Sequence, residues 1–545
     1  MSAPSLPLSA ARAPTLSGVS QPPPDFTAAE RALLLRYLTN LDHRVFALKG
    51  LPQVVAGALF SRYSRTEKSL RRVLLDEFLD EPDLGIGAPE PDATIDKARA
   101  EAFYERVLVG YGDDSVAELA FAHVAVERVS QLAAKALEDA RIGISPLEKS
   151  TRYVRFDRTG PDGRFAYHRG PELDDPRYEP AMERLFTAFA ELLPGVLEGV
   201  RARHARREGE PEGGWRRATR AHAFDLLRGL LPAATLTNLG LAGSGRAFEY
   251  LLTRMAAAPL PEVSGLATEL HTELREVLPA FVRRALDERY GGPAASRLRA
   301  RAAALAAQTP TGGPAREEDG VLLVDYDRDA EHRVAAALVF AGSDLPLDRL
   351  LDADLSLPDL LATVAEARQN RRDRLPRAFE HAAYTFQITA NFGAYRDLQR
   401  HRMLTQERQR LTTALGFDVP AELHEYGAGR RFEEEMVRAG EAHRALVQSL
   451  GPDLAQYAVP LAFRLRWYAR VNLRELCHLA ELRTTQQGHP DYRQVAQRMF
   501  QQAAEVHPEL CSVIKFVDLE PGAELARRAS ERRSAERLSA LDQTR

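Results

Sequence analysis

The stretch LLPAATLTNLGLAGSGRAFEYLLTRM, residues 230–255, aligns without a gap with AVPLAFRLRWYARVNLRELCHLAELR, residues 458–483. Within it, Pro232 pairs with Pro460 and Arg246 with Arg474, since the members of each pair are 228 residues apart. Two further pairs of segments match upstream, in the same order. They are SVAELAFAHVAVERV with RAFEHAAYTFQITAN, and VAGALFSRYS with VAAALVFAGS. Three matched segments in one order predict two tandem copies of one domain.

The coarse structure of each copy follows from its hydrophobic pattern. Each copy is predicted to open with a short strand and an Ala-rich helix. The alternating segments AHVAVERV and YTFQIT are typical of half-buried strands, and a helix is expected directly after each. Strands and helices do not alternate strictly, so the sequence predicts the α+β class.

Changes in composition divide the 545 residues into five parts. A stretch rich in Ala, Gly, Pro and Arg that starts at Gly291 is the natural boundary between the copies. The predicted parts are a disordered lead-in (1–26), the first copy (27–290), a linker (291–320), the second copy (321–520) and a charged tail (521–545).

Bulk composition excludes several classes of protein. The formal net charge of −4 gives no global attraction to nucleic acid or to an anionic membrane. No apolar run approaches the roughly 20 residues of a membrane helix, and the first residues lack a signal-peptide pattern. The two cysteines, Cys477 and Cys511, are too far apart for a metal or redox pair. We therefore expect a cytoplasmic protein without a metal site.

The sharpest motif is Arg400-His401-Arg402, at the end of a predicted helix that also carries Arg396. Successive helical residues point about 100° apart, so the three side chains cannot all face one group on a helix. Where the helix unwinds, they can surround an extended anion such as a pyrophosphate. The alternative is a basic helix C-terminus that interacts favourably with the helix dipole.

The context of this motif resembles a known family. FEHAAYTFQITANFGAYRDLQRHR, residues 379–402, is similar to the segment that leads into the Arg-His-Arg signature of flavin-dependent thymidylate synthases. The second copy lacks the serines that follow in the family. The first copy lacks Arg-His-Arg but reads ISPLEKSTRYV, with Ser145, Glu148, Ser150 and Arg152 at the family spacing. Its GDDSVAE, which includes Ser115, resembles the family's G-H-x-S-V-x-E but has Asp113 in place of histidine.

The division between the copies continues downstream. VNLRELCHLAELR resembles the family helix that binds flavin near its start and nucleotide near its end. The resemblance implies flavin contacts for Asn472, Arg474 and His478 and a nucleotide contact for Arg483. In the first copy, Ser244, Tyr250 and Met255 stand opposite Asn472, His478 and Arg483. Conversely, Arg228 occupies the position of a nucleotide-binding arginine, and its second-copy counterpart is Gln456.

The resemblance also implies an architecture and a reaction. Family members are homotetramers of one-copy chains, with a small antiparallel sheet packed against helices and active sites built from several subunits. Each chain here would mimic a family dimer, and two chains would pair as a homodimer in which one kind of site survives. The reaction would be reductive methylation of dUMP to dTMP, with methylenetetrahydrofolate, FAD and NADPH.

The implied roles are distributed over both copies. Arg483 would stabilise charge on the uracil ring, and Ser150 would be a positioning hydroxyl. The implied substrate contacts are Arg400, Glu148, Ser150, Arg152, Arg228 and Arg483. The implied cofactor contacts are Ser115, Arg400, His401, Arg402, Glu148, Asn472, Arg474 and His478. Cys477 lies in an apolar helix pattern and is expected to be inert. Two alternatives stay open: a degenerate paralogue that binds flavin or nucleotide without methylating dUMP, and a non-catalytic nucleic-acid-binding or scaffold protein.

Overall fold

The structure, a computed structural model, describes 26–42, 46–51, 55–56, 59–60, 63, 66, 68–79, 118–150, 154–287, 292–309, 320–522, 525 and 528. The chain forms two compact units. The first is Met1–Ala122, Ser244–Glu249 and Thr272–Arg284, and the second is His123–Gly243, Tyr250–His271 and Ala285–Arg545. The predicted residues Ser115 and Arg152, and Asp113, lie outside the described residues.

In the first unit, helix α1 (Ala28–Tyr37) begins at a capping box in which Thr27 and Glu30 satisfy each other's backbone N–H groups. Helix α2 (Leu70–Val73) continues as a π-helix from Leu74 to Leu79. Arg72 joins the two helices, because it forms ion pairs with Glu30 and Asp76. Helices α1 and α2 of the first unit are therefore stabilised by a helix cap and by ion pairs.

Each copy contributes a small sheet. The first contains β1 (Phe121–Ser130), β2 (Ile144–Glu148) and β3 (Leu236–Ser244) in the order β1-β3-β2, with β2 antiparallel to β3. The second contains β4 (Gly320–Tyr326), β5 (Ala383–Asn391), β6 (Thr405–Arg408) and β7 (Arg464–Asn472) in the order β4-β5-β7-β6, all antiparallel. The predicted α+β class, with small antiparallel sheets in two tandem copies, is confirmed.

Helices account for most of the remaining described residues. Ser130 and Asn391 cap equivalent helices, α3 and α13, that directly follow β1 and β5, as the sequence predicts. The helices are α3 (Gln131–Glu138), α4 (Tyr178–Arg203), α5 (Glu212–Leu227), α6 (Gly245–Ala256), α7 (Pro261–Val277), α8 (Pro279–Val282), α9 (Gly292–Gln308), α10 (Ala330–Phe340), α11 (Leu347–Leu351), α12 (Leu357–Ala367), α13 (Phe392–Leu398), α14 (Ala421–Glu425), α15 (Gly429–Leu454), α16 (Leu473–Arg483), α17 (Pro490–Val506) and α18 (Pro508–Cys511). Among the described residues, no helix combines the length and apolar character that a membrane span needs.

The two copies meet around an approximate two-fold relation inside the second unit. Pro232 and Pro460, which correspond in the repeat, form a β-bridge with each other. Around this bridge, Ala233 N donates to Val459 O at 2.8 Å, and Leu461 N donates to Leu231 O at 2.9 Å. Ala233 corresponds to Leu461 and Leu231 to Val459 in the repeat, so the two hydrogen bonds are equivalent, with the roles of the copies exchanged. Such self-complementary contacts characterise a symmetric dimer interface, and here one chain forms both sides of it.

The sequence reasoning missed the strands β3 and β7. In β7, Leu465, Trp467, Ala469 and Val471 are buried, and their neighbours are more exposed. The sequence RLRWYARVN shows the alternation of apolar and polar residues that is typical of a strand, whereas the family resemblance concerns the helix that follows it. Because β7 pairs antiparallel with β5 along its whole length, it fixes the start of that helix beside the start of β5, at Ala383.

Candidate active site

A buried cluster of charges joins the two copies at the end of α13. Glu148, the last residue of β2, has a fully buried carboxylate. It accepts hydrogen bonds from Arg396 Nη2 at 3.0 Å, Arg400 Nη2 at 2.6 Å and Lys135 Nζ at 3.1 Å. Lys135 also bonds Glu138, one turn further along α3. A carboxylate of the first copy is thus held by two arginines of the second.

The cluster contains three cationic side chains and two carboxylates. Burial alone raises the pKa of Glu148, but the charges of Lys135, Arg396 and Arg400 outweigh burial and hold that pKa far below its usual range. Burial opposes the charge on Arg400 as well, and the carboxylates of Glu138 and Glu148 outweigh it and raise the arginine's pKa. Glu148 and Arg400 are therefore charged at neutral pH, and the formal count of three cationic side chains against two carboxylates leaves one positive charge in the cluster.

His401 lies next to this cluster and connects it to α16. Its Nδ1 is 2.9 Å from Glu475 Oε1, and Arg483 Nε donates to its Nε2 at 2.9 Å. Because Nε2 accepts, the proton is on Nδ1 and is donated to Glu475. Burial lowers the pKa of His401, which keeps the ring neutral. The ring of His478, an exposed residue, is 5.5 Å from that of His401.

The remaining residues expected to contact flavin make contacts within the protein. Arg402 donates to Ile144 O at 2.9 Å and to Ser145 Oγ at 3.1 Å, and thereby holds β2 of the first copy. Asn472 caps α16 by accepting from Glu475 N at 2.9 Å. Arg474 donates to Leu375 O and Glu380 Oε1, both at 2.8 Å. The three parts of Arg-His-Arg therefore point to three different partners.

Arg228 approaches α13 from the first copy. Its Nη1 is 3.5 Å from Asp397 Oδ2, and its side chain is buried. Its Nη2 has no hydrogen-bond acceptor among the described residues. A Cβ at Gly393 would come within 3.2 Å of this atom, so the glycine allows the guanidinium to lie close to the helix. Arg228 thus presents an unsatisfied buried donor beside the helix that carries Arg400.

Ser150 is half-buried and comes two residues after Glu148, where the chain leaves the sheet. The neighbouring Lys149 N still donates to Asn238 O of β3 at 2.9 Å. Cys477 is buried, and burial raises the pKa of its thiol to about 12. At neutral pH this cysteine is therefore a thiol and not a nucleophilic thiolate.

The pseudo-symmetric position does not repeat the cluster. Glu148 pairs with Leu239 and Arg408 pairs with Trp467, and Leu239 and Trp467 correspond in the repeat, so Arg408 replaces Glu148. The equivalent helix caps Ser130 and Asn391 put Asp139 and Ala140 opposite Arg400 and His401, and the 228-residue offset puts Met255 opposite Arg483. Asp139 bonds Gln399, and Met255 is buried in the core. The charges are reversed, so the two copies make one such cluster.

Sequence reasoning did not find Lys135, Glu138, Glu475 or Asp397. The signal for Lys135 was its position in an otherwise apolar helix, between Ala134 and Leu137, where a lysine requires a buried carboxylate partner. Glu475 follows the cap Asn472 at a spacing typical of a helix start, which conceals its contact with His401.

Comparisons with known proteins identify relatives that match along most of the chain. A UPF0159 protein of Chlamydia muridarum is 43% identical over 511 residues, which cover 91% of this chain and 96% of that protein. A UPF0159 protein of Thermoplasma acidophilum is 34% identical over 494 residues, which cover 85% of this chain and 95% of that protein. A solved structure, of a UMP/dUMP methylase PolB from Streptomyces cacaoi bound with 5-Br dUMP, is 22% identical and covers 36% of this chain and 95% of its own, at a TM-score of 0.30. That likeness is too weak to equate residue positions.

The model of the family described as "Thymidylate synthase complementing protein" matches residues 69–280 and 322–509. The two matched segments correspond to the two copies found in the repeat and cover most of the chain. A thymidylate synthase-like enzyme function follows at this coarse level. The chain belongs to this family, that of the flavin-dependent thymidylate synthases, and carries its domain twice in tandem.

Proposed function

We propose that this protein methylates dUMP to dTMP reductively, with methylenetetrahydrofolate as carbon donor, FAD as carrier and NADPH as reductant. The observation that supports this most is the contact of Glu148, from the first copy, with Arg396 and Arg400 of the second. In the family each site combines residues of different subunits. Here a single chain supplies both sets.

The cationic groups suit the phosphate of a nucleotide. Arg400 Nε and Arg228 Nη2 are buried donors without an acceptor among the described residues. Buried donors are almost always satisfied in native proteins, so two such guanidinium groups favour an anionic ligand. Arginine forms strong, geometrically defined hydrogen bonds with phosphate oxygens. The uncompensated positive charge of the cluster adds attraction for the same ligand. Arg152, which precedes Tyr153 in the first copy, would complete this set.

Arg483 is proposed to bind the uracil ring. Its Nε is used by His401, so the hydrogen bond fixes the guanidinium plane and leaves the terminal nitrogens for a ligand. A fixed positive charge stabilises negative charge that develops on the ring during methylation. The neutral His401 accepts without competing for that role, because burial lowers its pKa. Ser150, near Glu148, would orient the nucleotide with its hydroxyl.

The residues proposed for FAD form a polar edge beside this set. When bound, FAD carries the one-carbon unit and the hydride. Arg402 and His478 are exposed and are available to a large anionic cofactor, whereas His401, Asn472 and Arg474 shape the edge through their contacts with Glu475, Leu375 and Glu380. Ser115 is proposed as a further contact from the first copy. We also propose that two chains pair as a homodimer, which light scattering of the purified protein measures directly.

The test measures dTMP formation, or tritium release from labelled dUMP, with FAD, NADPH and methylenetetrahydrofolate present. Arg152→Ala and Arg483→Ala lie in different copies, and both are expected to abolish dUMP binding. Arg430→Ala is the matched control, because the Arg430 side chain is 91% exposed and pairs only with Glu434 in the described structure. If either site variant binds dUMP as the parent does, the two copies do not share one site.

A second candidate is a protein that binds flavin or nucleotide without methylating dUMP. It is favoured by the use of Arg402, Asn472 and Arg474 in contacts within the chain. The two candidates separate in one experiment with FAD and dUMP supplied, since only the first requires the formation of dTMP. A purified protein that is colourless and takes up no FAD contradicts the first candidate and the flavin-binding form of the second.

A further inference from the structure

Before its 3-10 helix the first copy has one more long helix than the second copy has. Helices α4 and α15 are both 26 residues long, and α15 is kinked at Gly451. α15 runs directly into the 3-10 helix Ala455–Ala458, whereas α4 is followed by α5 before the equivalent 3-10 helix, Arg228–Leu230. The proposed nucleotide site uses Arg228, which follows this helix, but none of the residues within it.

A histidine at the end of α4 and a histidine on the extra helix α5 meet a glutamate of the second copy. His204 terminates α4, His222 lies on α5, and Glu422 lies on α14. His222 Nε2 is 2.8 Å from Glu422 Oε2, and the two imidazole rings are 6.0 Å apart and nearly perpendicular. One ligand atom from each residue lies within 4.8 Å of the other two. All three side chains are half-buried, so their geometry is restrained by three different helices.

This donor set has the chemistry of a transition-metal site. Two imidazoles and one carboxylate are the protein ligands of many open zinc sites, with bond lengths of about 2.0–2.2 Å. Ligand atoms around such an ion are about 3.3 Å apart in a tetrahedron, which lies within the range spanned by these three atoms. The cluster therefore needs only small side-chain adjustments to hold an ion.

Neighbouring side chains restrain the carboxylate of Glu422 and the backbone of His204. Tyr426 O–H donates to Glu422 Oε2 at 3.3 Å, and Trp215 Nε1 donates to the backbone oxygen of His204 at 2.7 Å. Hydrogen bonds of this kind fix the groups that hold a metal. The nearby cation Arg203 forms an ion pair with Glu425, so a carboxylate compensates its charge.

The cluster also borders a cavity. His222 and Glu422 are among the residues that line a space of about 670 Å³ between α5, α14 and the start of α17. Two of the three protein ligands therefore adjoin a volume that holds water or a small molecule, which leaves a coordination position accessible to it.

We propose that His204, His222 and Glu422 bind one divalent transition-metal ion, with Zn²⁺ as the preferred ion. The site ties the extra helix α5 to α14 of the second copy and keeps one coordination position open to the cavity. It is separate from the residues proposed for dUMP and FAD.

The experiment uses the full-length protein, stripped with EDTA and then titrated with Zn²⁺ alone. Bound zinc is counted by mass spectrometry after gel filtration, and Co²⁺ is added in parallel for its visible absorption. The parent is expected to retain about one Zn²⁺ per chain, with an intense tetrahedral Co²⁺ spectrum. His204→Ala, His222→Ala and Glu422→Gln are each expected to weaken binding by about 100-fold or more, because removal of mere outer-shell partners already costs 10–100-fold.

Two controls make the assignment specific. His424→Ala removes an exposed histidine of the same helix, whose only described partner is Glu433, and should leave zinc binding unchanged. His478→Ala removes one member of another His-Glu group, formed with His401 and Glu475. Zinc that is lost in His478→Ala but retained in His222→Ala overturns the proposal, as does equal zinc content in all variants.

Folding is followed separately by circular dichroism of the metal-free proteins. A ligand variant that melts below the metal-free parent is replaced by His222→Gln, which keeps a hydrogen-bonding side chain next to Glu422. Zn²⁺ should raise the melting temperature of the parent and of His424→Ala but not that of His222→Gln, because only a site present in the native state stabilises it. A melting temperature raised equally in all three contradicts the site.

Discussion

Replacement of Glu148 by glutamine perturbs the contact between the copies most directly. In the parent, the buried cluster has three cations against the carboxylates of Glu138 and Glu148. Glu148→Gln keeps the size of the side chain but leaves Lys135, Arg396 and Arg400 with one carboxylate. The NH2 group of the glutamine also faces the N–H donors of Lys135, Arg396 and Arg400, which cannot accept a hydrogen bond from it. The variant therefore buries a second uncompensated positive charge.

The size of the effect follows from the burial of the carboxylate. Removal of one partner from a buried ion pair costs about 3–5 kcal/mol, because the remaining charge stays desolvated. The side chain of Glu148 is 0% exposed, so the upper part of this range applies without a reduction for solvent screening. We expect the urea midpoint of Glu148→Gln at pH 7 to fall accordingly. The exposed Glu179 provides the control: its partner Arg169 also pairs with Glu183, so Glu179→Gln should cost only about 0–1 kcal/mol.

The pH dependence has a defined sign. Burial raises the pKa of Glu148, but its three cations lower it further, so the folded pKa lies below the unfolded value of about 4.3. The unfolded chain then binds the proton more readily, and the stabilisation is complete above that pH and is lost as pH falls through the folded pKa. The parent should lose its advantage over Glu148→Gln in acid. Equal stability of the two proteins at pH 7 would refute the assignment of a buried charge cluster.

Three other changes test neighbouring features. Asn472→Ala should cost about 1 kcal/mol through loss of the α16 cap, while Asn472→Asp should be nearly neutral in a urea titration, and equal effects would contradict capping. His401 has a lowered pKa because it is buried, so the parent should lose stability as pH falls below about 6.5. His401→Gln should lack that part of the decline between pH 7.5 and 5.5; identical slopes would count against a buried neutral ring. Cys477 and Cys511 are buried, which raises the pKa of each to about 12, so iodoacetamide should label them only in denaturant, as peptide mass spectrometry checks; rapid labelling of the native protein would contradict their burial.

The fold was accessible to sequence reasoning wherever local pattern and repeat agreed. Period-two alternation identified β1 and β5, and polar caps mark the helices that follow them. The edge strands β2 and β6 were not found, because five and four residues are too short for a periodic signal. The bounds of the five predicted chain segments remain predictions, although part of the proposed linker forms α9.

The sequence predicted which residues lie in the candidate site, but not all of the side chains and backbone groups that they contact. The family resemblance implied that Glu148 and Arg400 belong to one site, and in the structure Arg400 Nη2 lies 2.6 Å from Glu148 Oε2. Neither the resemblance nor the repeat gave a reason to expect Lys135 in this cluster. Lys135 and Glu148 are 13 residues apart in the chain, and their contact depends on how β2 folds back over α3. Nor did the residue types reveal that Arg402 holds the β2 backbone, since an arginine that binds a carbonyl looks the same in sequence as one that binds a phosphate.

The charges explain why the tandem arrangement has one cluster of this kind. In a dimer of identical chains, a substitution that alters one interface site alters its symmetric mate as well. A fused pair is free of that constraint, and here Asp139 and Arg408 stand where symmetry would require Arg400 and Glu148. Each copy therefore carries the half that the other lacks. The first copy by itself has only Lys135 to compensate both Glu138 and Glu148, and the second has Arg396 and Arg400 with neither carboxylate, so the charge balance of each copy depends on the other.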